Sequence, residues 1–281
     1  MGDLHVVATP IGNLEDVTLR ALRVLGEADL VLAEDTRRTR RLLDRHGVKA
    51  RPVSLHAHNE AARVEKALAV LAAGGSVALL SDAGTPLLSD PGERLVTAVV
   101  AAGHTVTSVP GASAVVSALV VAGLPAVPFT FLGFLPRRAG ARDALLDGLR
   151  ERPETLVLFE SPRRVAATLR RCAEILGPRP ACVARELTKL HEEVVRGSLP
   201  ELAQRFAAGA RGEVTIVVGG AEPSAGPDPA EVDAAIRAGL AAGESPRAVA
   251  ARLARDAGLS RRTVYNRALA LQGRRKPESL A

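Results

Sequence analysis

The chain reads as an α/β protein: a parallel-rich sheet, then a second α/β domain with a mixed sheet, then a small basic helical module of helix–turn–helix type. Three observations predict this. From Leu4 to Leu124, short apolar runs alternate with stretches of helical periodicity, the signature of βαβ units. Beyond Leu124-Pro125-Ala126-Val127-Pro128, two apolar runs follow each other with no helix between them, which requires antiparallel pairing. After the proline- and glycine-rich stretch from Glu222 to Pro229, every segment reads as helix.

In order, Leu4–Val7 reads as a strand, followed by the turn Thr9-Pro10-Ile11-Gly12-Asn13. Leu19, Leu22 and Leu25 share one face of a helix over Thr18–Gly26. Leu30–Ala33 is the next strand, Thr36–His46 a helix ended by Gly47, and Pro52–His56 a strand. Asn59 caps a helix to Ala73, stopped by Gly74-Gly75. Buried strands at Val77–Leu80 and Thr105–Val109 each lead through a glycine–proline loop into an Ala/Val/Leu-rich helix, the second over Ala112–Leu124. The second domain, 125–222, carries strand Phe129–Phe134, helix Ala141–Arg150 and strand Thr155–Phe159. A helix over Pro162–Leu176 follows, with Pro162 at its first position. Strands Ala181–Arg185 and Glu192–Arg196, helix Pro200–Ala208 and strand Glu213–Val218 complete it. In the basic module, 228–281, Pro246–Ala257 and Ser260–Leu271 form a tight hairpin, with Ala254 and Gly258 spaced for close packing and Ser260 as cap.

Composition removes several classes of protein. With 47% hydrophobic and 24% charged residues, the 281-residue chain has ample core for two or three domains. No apolar run reaches membrane-spanning length, and the start lacks a signal peptide's basic and apolar regions, so a cytoplasmic location is expected. Two cysteines, Cys172 and Cys182, read as buried thiols and exclude a disulfide framework. The net charge of +6 is unevenly placed: Ser245–Lys276 holds nine basic residues against one acid. Arg-rich composition explains Arg over Lys but not the missing acids, so this segment suits a polyanion. Arg261 and Arg262, with Tyr265, would face nucleic acid from the second hairpin helix.

The two glycine–proline loops, Ser81–Gly92 and Val109–Ala114, follow consecutive strands, where open α/β sheets bind ligands. Neither G-x-G-x-x-G nor the phosphate loop G-x-x-x-x-G-K-[ST] occurs. Asp82 and Asp90 repel phosphate but suit a cation bearing ribose hydroxyls and an ammonium; S-adenosylmethionine fits. Asp90 before Pro91 reads first as a helix cap, Asp82 as a ligand contact.

Six segments then occur in a distinctive order: Ala8-Thr9-Pro10-Ile11-Gly12-Asn13-Leu14, Ala33-Glu34-Asp35-Thr36-Arg37, Ser81–Pro86 with Asp90-Pro91-Gly92, Val109–Ala114, Phe159–Arg164 and Arg185-Glu186-Leu187-Thr188-Lys189. From about Leu4 to Gly220 the chain resembles the small-subunit ribosomal RNA methyltransferase I family of the tetrapyrrole methylase-like superfamily. The resemblance implies methylation of a cytidine ribose 2′-hydroxyl in small-subunit ribosomal RNA, S-adenosylmethionine in a cleft between two α/β domains, and a homodimer. It carries cofactor-binding roles onto Pro10, Asp82, Ala83, Gly84, Leu87, Ala112 and Ser113, and more weakly onto Phe159, Ala184 and Thr215, where strand packing is the competing reading. The first turn has only Gly12, where tetrapyrrole methylases proper are glycine-rich, which favours the RNA branch.

A ribose hydroxyl is a poor nucleophile, so the site must align it and help remove its proton. Glu34, Asp35, Glu186 and Lys189 are the leading candidates, with His58 and Glu160 behind them; Glu34 and Asp35 also read as an acidic helix start. Arg37, Arg41 and Arg163 are candidate RNA contacts. His56-x-His58 lacks a third ligand, and no metal is expected. The alternatives are a tetrapyrrole or protein side-chain methyltransferase of the same fold, and a non-enzymatic nucleic-acid-binding ligand sensor.

Overall fold

A computed structural model describes residues 2–56, 59–222, 228–257 and 259–272. It comprises two compact units, Met1–Ala221 and Glu222–Ala281. The first unit holds two five-stranded sheets. Strands β1 (Asp3–Val7), β2 (Leu30–Ala33), β3 (Pro52–Ser54), β4 (Ser76–Leu80) and β5 (Thr105–Val109) form the first, in the order β3-β2-β4-β1-β5. All are parallel. Helices α1 (Leu19–Glu27), α2 (Thr36–Arg45), α3 (Glu60–Ala72), α4 (Glu93–Ala101) and α5 (Ala114–Val121) connect or follow them. Because every strand runs the same way, the loops after β1, β2, β4 and β5 emerge along one edge.

β4 is buried as its apolar run predicts, whereas β5 is largely uncovered. Its Thr-Val-Thr-Ser-Val sequence sits at the sheet edge, so only Val109 is fully buried. Asn59 precedes α3 without capping it; its side chain instead accepts from the His56 amide at 2.8 Å and donates to the Ser54 carbonyl at 3.1 Å, tying off β3.

The second sheet joins β6 (Phe129–Phe134), β7 (Thr155–Glu160), β8 (Pro180–Arg185), β9 (Glu193–Ser198) and β10 (Val214–Val218) in the order β6-β7-β10-β8-β9. Only β6 and β7 are parallel. Helices α6 (Ala139–Asp147), α7 (Val165–Leu176) and α8 (Leu199–Arg205) belong with it. α7 starts three residues beyond Pro162, because Ser161–Arg164 closes a turn through the Arg164 amide and Ser161 carbonyl. α8 carries a full capping box from Ser198 and Glu201.

The strand period of two divides the faces of this second sheet. Leu158, Ile216 and Val183 are register partners facing one core, together with Leu169 and Leu202. Val157, Val217 and Cys182 face the other way, onto Val115, Ala118 and Leu119 of α5. α5 thus packs one apolar face on the second sheet, and its last carbonyls, at Val121 and Ala122, accept from the Arg196 guanidinium on β9. Both cysteines are buried and unpaired, and burial pushes the Cys172 thiol up to about 12.

The second unit has three helices among the described residues: α9 (Pro229–Ala241), α10 (Pro246–Ala257) and α11 (Arg261–Gln272). Ile236, Val249, Ala250, Leu253, Val264 and Ala268 form its own core. Ser260 caps α11 by accepting from the Thr263 amide; Gly258 lies outside the described residues. No helix among the described residues is long and apolar enough to cross a membrane.

Candidate active site

The loops after β1 and β4 are stitched together first. Thr9 and Gly84 exchange backbone hydrogen bonds of 2.8 and 3.0 Å. Gly84 has φ +82°, and Thr9 Oγ1 donates to the Ser81 carbonyl at 3.2 Å. A Cβ on Gly84 would press on Ile11 Cγ2 at 3.2 Å, so glycine answers both conformation and space.

These loops, the start of α5 and the second sheet enclose a recess of about 330 Å³, the size of small-molecule sites. Phe159, Thr215 and Ala184 are register partners on three adjacent strands and form one row of its wall. Ala83, Gly84 and Ser113 line the opposite side. Phe134 packs on Phe159 with ring centroids 5.7 Å apart and also lines the recess, although it is 55% exposed. Of five phenylalanines in the chain, Phe131, Phe134 and Phe159 cluster here. The lining includes the acidic residues Asp90 and Glu213, with the Glu160 carboxylate turned away toward Thr168, and no Lys or Arg among the described residues. Burial and then the neighbouring Glu34 carboxylate push Asp90 up to about 6. Burial, followed by Asp82, also raises Glu34. Such a cation-free, partly apolar recess fits a positively charged ligand with an aromatic base.

Beside it lies a second hollow of about 320 Å³ sharing Ile11, Ala83 and Glu213. Its lining adds Pro10, Gly12 and Asp82 and the cations Arg38, Arg41 and Lys189. Asp82 accepts from the Asp35 amide at 2.8 Å and faces Arg38 at 3.7 Å. Lys189 stands at the junction, its Nζ donating to Glu186 Oε1 at 2.8 Å and Glu213 Oε2 at 2.7 Å. Burial pulls the ammonium's pKa down, but the two carboxylates outweigh it and the net shift is upward. Glu186 is held low by Lys189 and then by the Glu213 amide.

This junction is built by close contact and backbone strain. A Cβ on Gly12 would lie 2.5 Å from Lys189 Cγ; one on Gly212 would lie 2.0 Å from Glu186 Oε1. The Asn13 amide donates to Thr188 Oγ1 at 3.0 Å, joining the first turn to the Glu186–Lys189 loop. Among the described residues, the non-glycines with positive φ are Leu87, Ser89, Glu186 and Thr188, all in the two site loops. Each costs about 1–2 kcal/mol, a strain kept where geometry matters to function.

The structure separates the remaining sequence-predicted residues. Ala112 sits behind the recess, its carbonyl accepting from Thr85 Oγ1 at 3.4 Å, and Leu88 and Ser89 rather than Leu87 reach the lining. Asp90 does not cap α4; Gly92 occupies that position with φ +120°. Glu34 and Asp35 line neither hollow. Asp35 caps α2 through the Arg37 amide at 2.8 Å and chelates the Arg37 guanidinium, which with the cap holds its carboxyl at about 2. Arg41 lines the second hollow together with Arg38; Arg37 folds onto Asp35, and Arg163 is exposed outside both linings. Glu160 is buried, accepting from the Ser161 amide at 2.7 Å and Thr168 Oγ1 at 2.5 Å. His58 lies outside the described residues. Arg261 and Arg262 are exposed on α11 of the second unit.

A parallel sheet and a mixed sheet around such a recess fit the class described as Tetrapyrrole (Corrin/Porphyrin) Methylases, whose family model matches residues 3–203. A uroporphyrin-III C-methyltransferase from Thermus thermophilus, solved with S-adenosyl homocysteine, aligns over 78% of this chain and 97% of its own, with a TM-score of 0.55 at 22% identity; that likeness is one of fold. Closer relatives narrow the class. A ribosomal RNA small subunit methyltransferase I of Mesorhizobium japonicum is 46% identical over 272 residues, 96% of this chain and 92% of its own. One of Mycobacterium tuberculosis is 52% identical over 227 residues, 80% of each chain. The chain belongs to the ribosomal RNA small subunit methyltransferase I family of S-adenosylmethionine-dependent methyltransferases.

Proposed function

We propose that this protein methylates the ribose 2′-hydroxyl of a cytidine in small-subunit ribosomal RNA. The observation that carries the reading is the pairing of two hollows: a recess without Lys or Arg among the described residues, and a hollow bearing Arg38, Arg41 and Lys189, with Ile11, Ala83 and Glu213 common to both. The first suits a sulfonium cofactor and the second a polyanion, so the shared wall is where methyl donor and ribose oxygen meet.

S-adenosylmethionine supplies an electrophilic methyl group on a positively charged sulfur. Asp90 and Glu213 offer it carboxylates, and Phe134 and Phe159 an aromatic surface for its base. Pro10, Asp82, Ala83, Gly84, Ala112 and Ser113 hold the loops around it, with Leu87 keeping the strained turn that presents Leu88 and Ser89. In the second hollow Arg38 and Arg41 hold phosphates beside the target ribose, which is splayed from its strand for the 2′-oxygen to be reached. Most of the acceleration comes from aligning that oxygen with the methyl carbon. Lys189, steadied by Glu186, faces the charge developing on the oxygen. With the cofactor bound, Glu213 would take the hydroxyl proton as the oxygen–carbon bond formed and the methyl–sulfur bond broke, the neutral thioether being the leaving group. Glu34 and Asp35 act at one remove, through Asp82 and the start of α2.

Residues 1–124 and 125–222 serve as the cofactor-loop and wall domains, and the 228–281 module adds RNA affinity through Arg261 and Arg262. The exposed Val116 and Val120 share one face of α5, four residues apart, and support a homodimer. Acting on ribosomal RNA, the protein would work in the cytoplasm. The test is incubation with methyl-labelled cofactor and either naked ribosomal RNA or purified small subunits. Alkali-resistant label at a cytidine ribose is expected; label on a base, on protein or on an added porphyrinoid overturns the reading.

A further inference from the structure

The first unit carries a third charged hollow that the transfer reaction leaves unused. About 330 Å³ in volume, it is lined by Arg185, Arg205 and Arg211 around a single acid among the described residues, Glu193. Glu193 pairs with Arg185 through one oxygen and with Arg205 through the other at 3.5 Å, so one carboxylate is shared between two guanidinium groups. Arg211 is exposed and has no acid partner among the described residues. A contiguous groove of about 270 Å³ is formed by Arg185, Arg211, His191 and Glu186. Glu186 is the residue that holds Lys189 at the reacting junction. Chain continuity reinforces the link: Arg211 lines the basic hollow, Gly212 the cofactor recess, and Glu213 both hollows of the active site. Two residues of extended backbone separate Arg211 from Glu213 by at most about 7 Å.

Resting on the proposed RNA substrate, we infer that Arg185, Arg205 and Arg211 form a second phosphate site, which grips the RNA strand within a nucleotide or two of the methylated ribose, on the far side of the Glu186–Lys189 loop from Arg38 and Arg41. The strand then crosses the loop, held on both sides, and the ribose between the two grips is the one pressed onto the junction. Charge supports this occupant: three planar cations against one acid outnumber any internal pairing, and guanidinium forks match phosphate oxygens in pairs. Arg185, tied to Glu193, is the preset member; Arg205 and Arg211 reach out from the rim.

The experiment compares wild type with Arg205→Glu/Arg211→Glu, and with single Arg211→Ala and Arg211→Lys, in binding to naked small-subunit ribosomal RNA across a salt series. Each phosphate contact on single-stranded RNA contributes about 0.7 to the slope of log affinity against log salt. The double variant should bind roughly ten-fold more weakly with a slope shallower by about 1.4. Arg211→Lys should recover most of the loss, and cofactor affinity by calorimetry should hold, which also shows that the variants fold. Unchanged RNA affinity and slope in the double variant overturn the inference. A wild type that binds RNA through this surface but methylates none leaves the inference standing and overturns the proposed reaction instead; one that binds no RNA overturns both.

Discussion

Lys189 has the side chain of a possible base but not the protonation state of one. Its two carboxylate partners outweigh burial and raise its pKa, so it is an ammonium at neutral pH and can only stabilise negative charge. Lys189→Met should therefore lower kcat by about 10²–10³-fold, the loss of one donor to a developing oxyanion, with cofactor affinity by calorimetry unchanged. An unaltered kcat would remove Lys189 from the reaction. Asp90 yields a pH prediction. Burial first, and then Glu34, raise it from 3.8 to about 6, so the folded protein holds this proton more tightly than the unfolded chain does. Its contribution to stability is therefore unfavourable once ionised and is relieved as pH falls through that window, opposite to an ion-paired carboxylate. A cationic ligand favours the ionised form, so cofactor affinity should rise with pH up to about 6 and level off above it, with proton release seen as buffer-dependent binding enthalpy. Asp90→Asn should flatten that profile; a wild-type affinity already flat between pH 5 and 7 would contradict the assignment.

At the scale of elements, the site depends on two loops that strain to meet. Gly212→Ala places a methyl group 2.0 Å from Glu186 Oε1 at a residue with φ +78°, so the Glu186 carboxylate must leave Lys189. The expected result is a kcat loss approaching that of Lys189→Met with RNA affinity retained, measured by single-turnover methylation; wild-type turnover would show that the Glu186 contact is dispensable. Most of these loops was legible in the sequence, because glycine, proline and small residues after apolar runs mark ligand loops on physical grounds. Phe159, Ala184 and Thr215 lie in three distant segments, yet antiparallel register sets them side by side. Their placement could not be read from spacing, which says nothing about register between strands. Asp90 was misleading because Asp before Pro-Gly resembles a cap, while the cap position belongs to Gly92. Glu213 carried no signal at all: it follows an ordinary Arg-Gly pair, and only the folding of β10 against the Glu186 loop brings it to Lys189.

For the molecule as a whole, the sequence exaggerates the basic tail. A window from Ser245 to Lys276 holds one acid, but it excludes Glu244, which pairs with Arg252 at 3.1 Å, and Asp233, which binds Arg267 at 2.6 Å. Arg255 pairs with Asp256 in turn. Among the described cations of that window, Arg247, Arg261 and Arg262 remain unpaired and exposed; Arg274, Arg275 and Lys276 lie outside the described residues. The module's contribution to RNA binding should thus be modest. Its helices pack on a core of their own, and no residue of that core belongs to the recess. Ending the chain after Ala221 should leave cofactor affinity unchanged by calorimetry while weakening RNA binding, with a salt slope reduced by a few phosphate contacts rather than abolished. A truncated protein with full RNA affinity would assign recognition wholly to the first unit. One that no longer binds cofactor would show that residues 1–221 do not bind it alone.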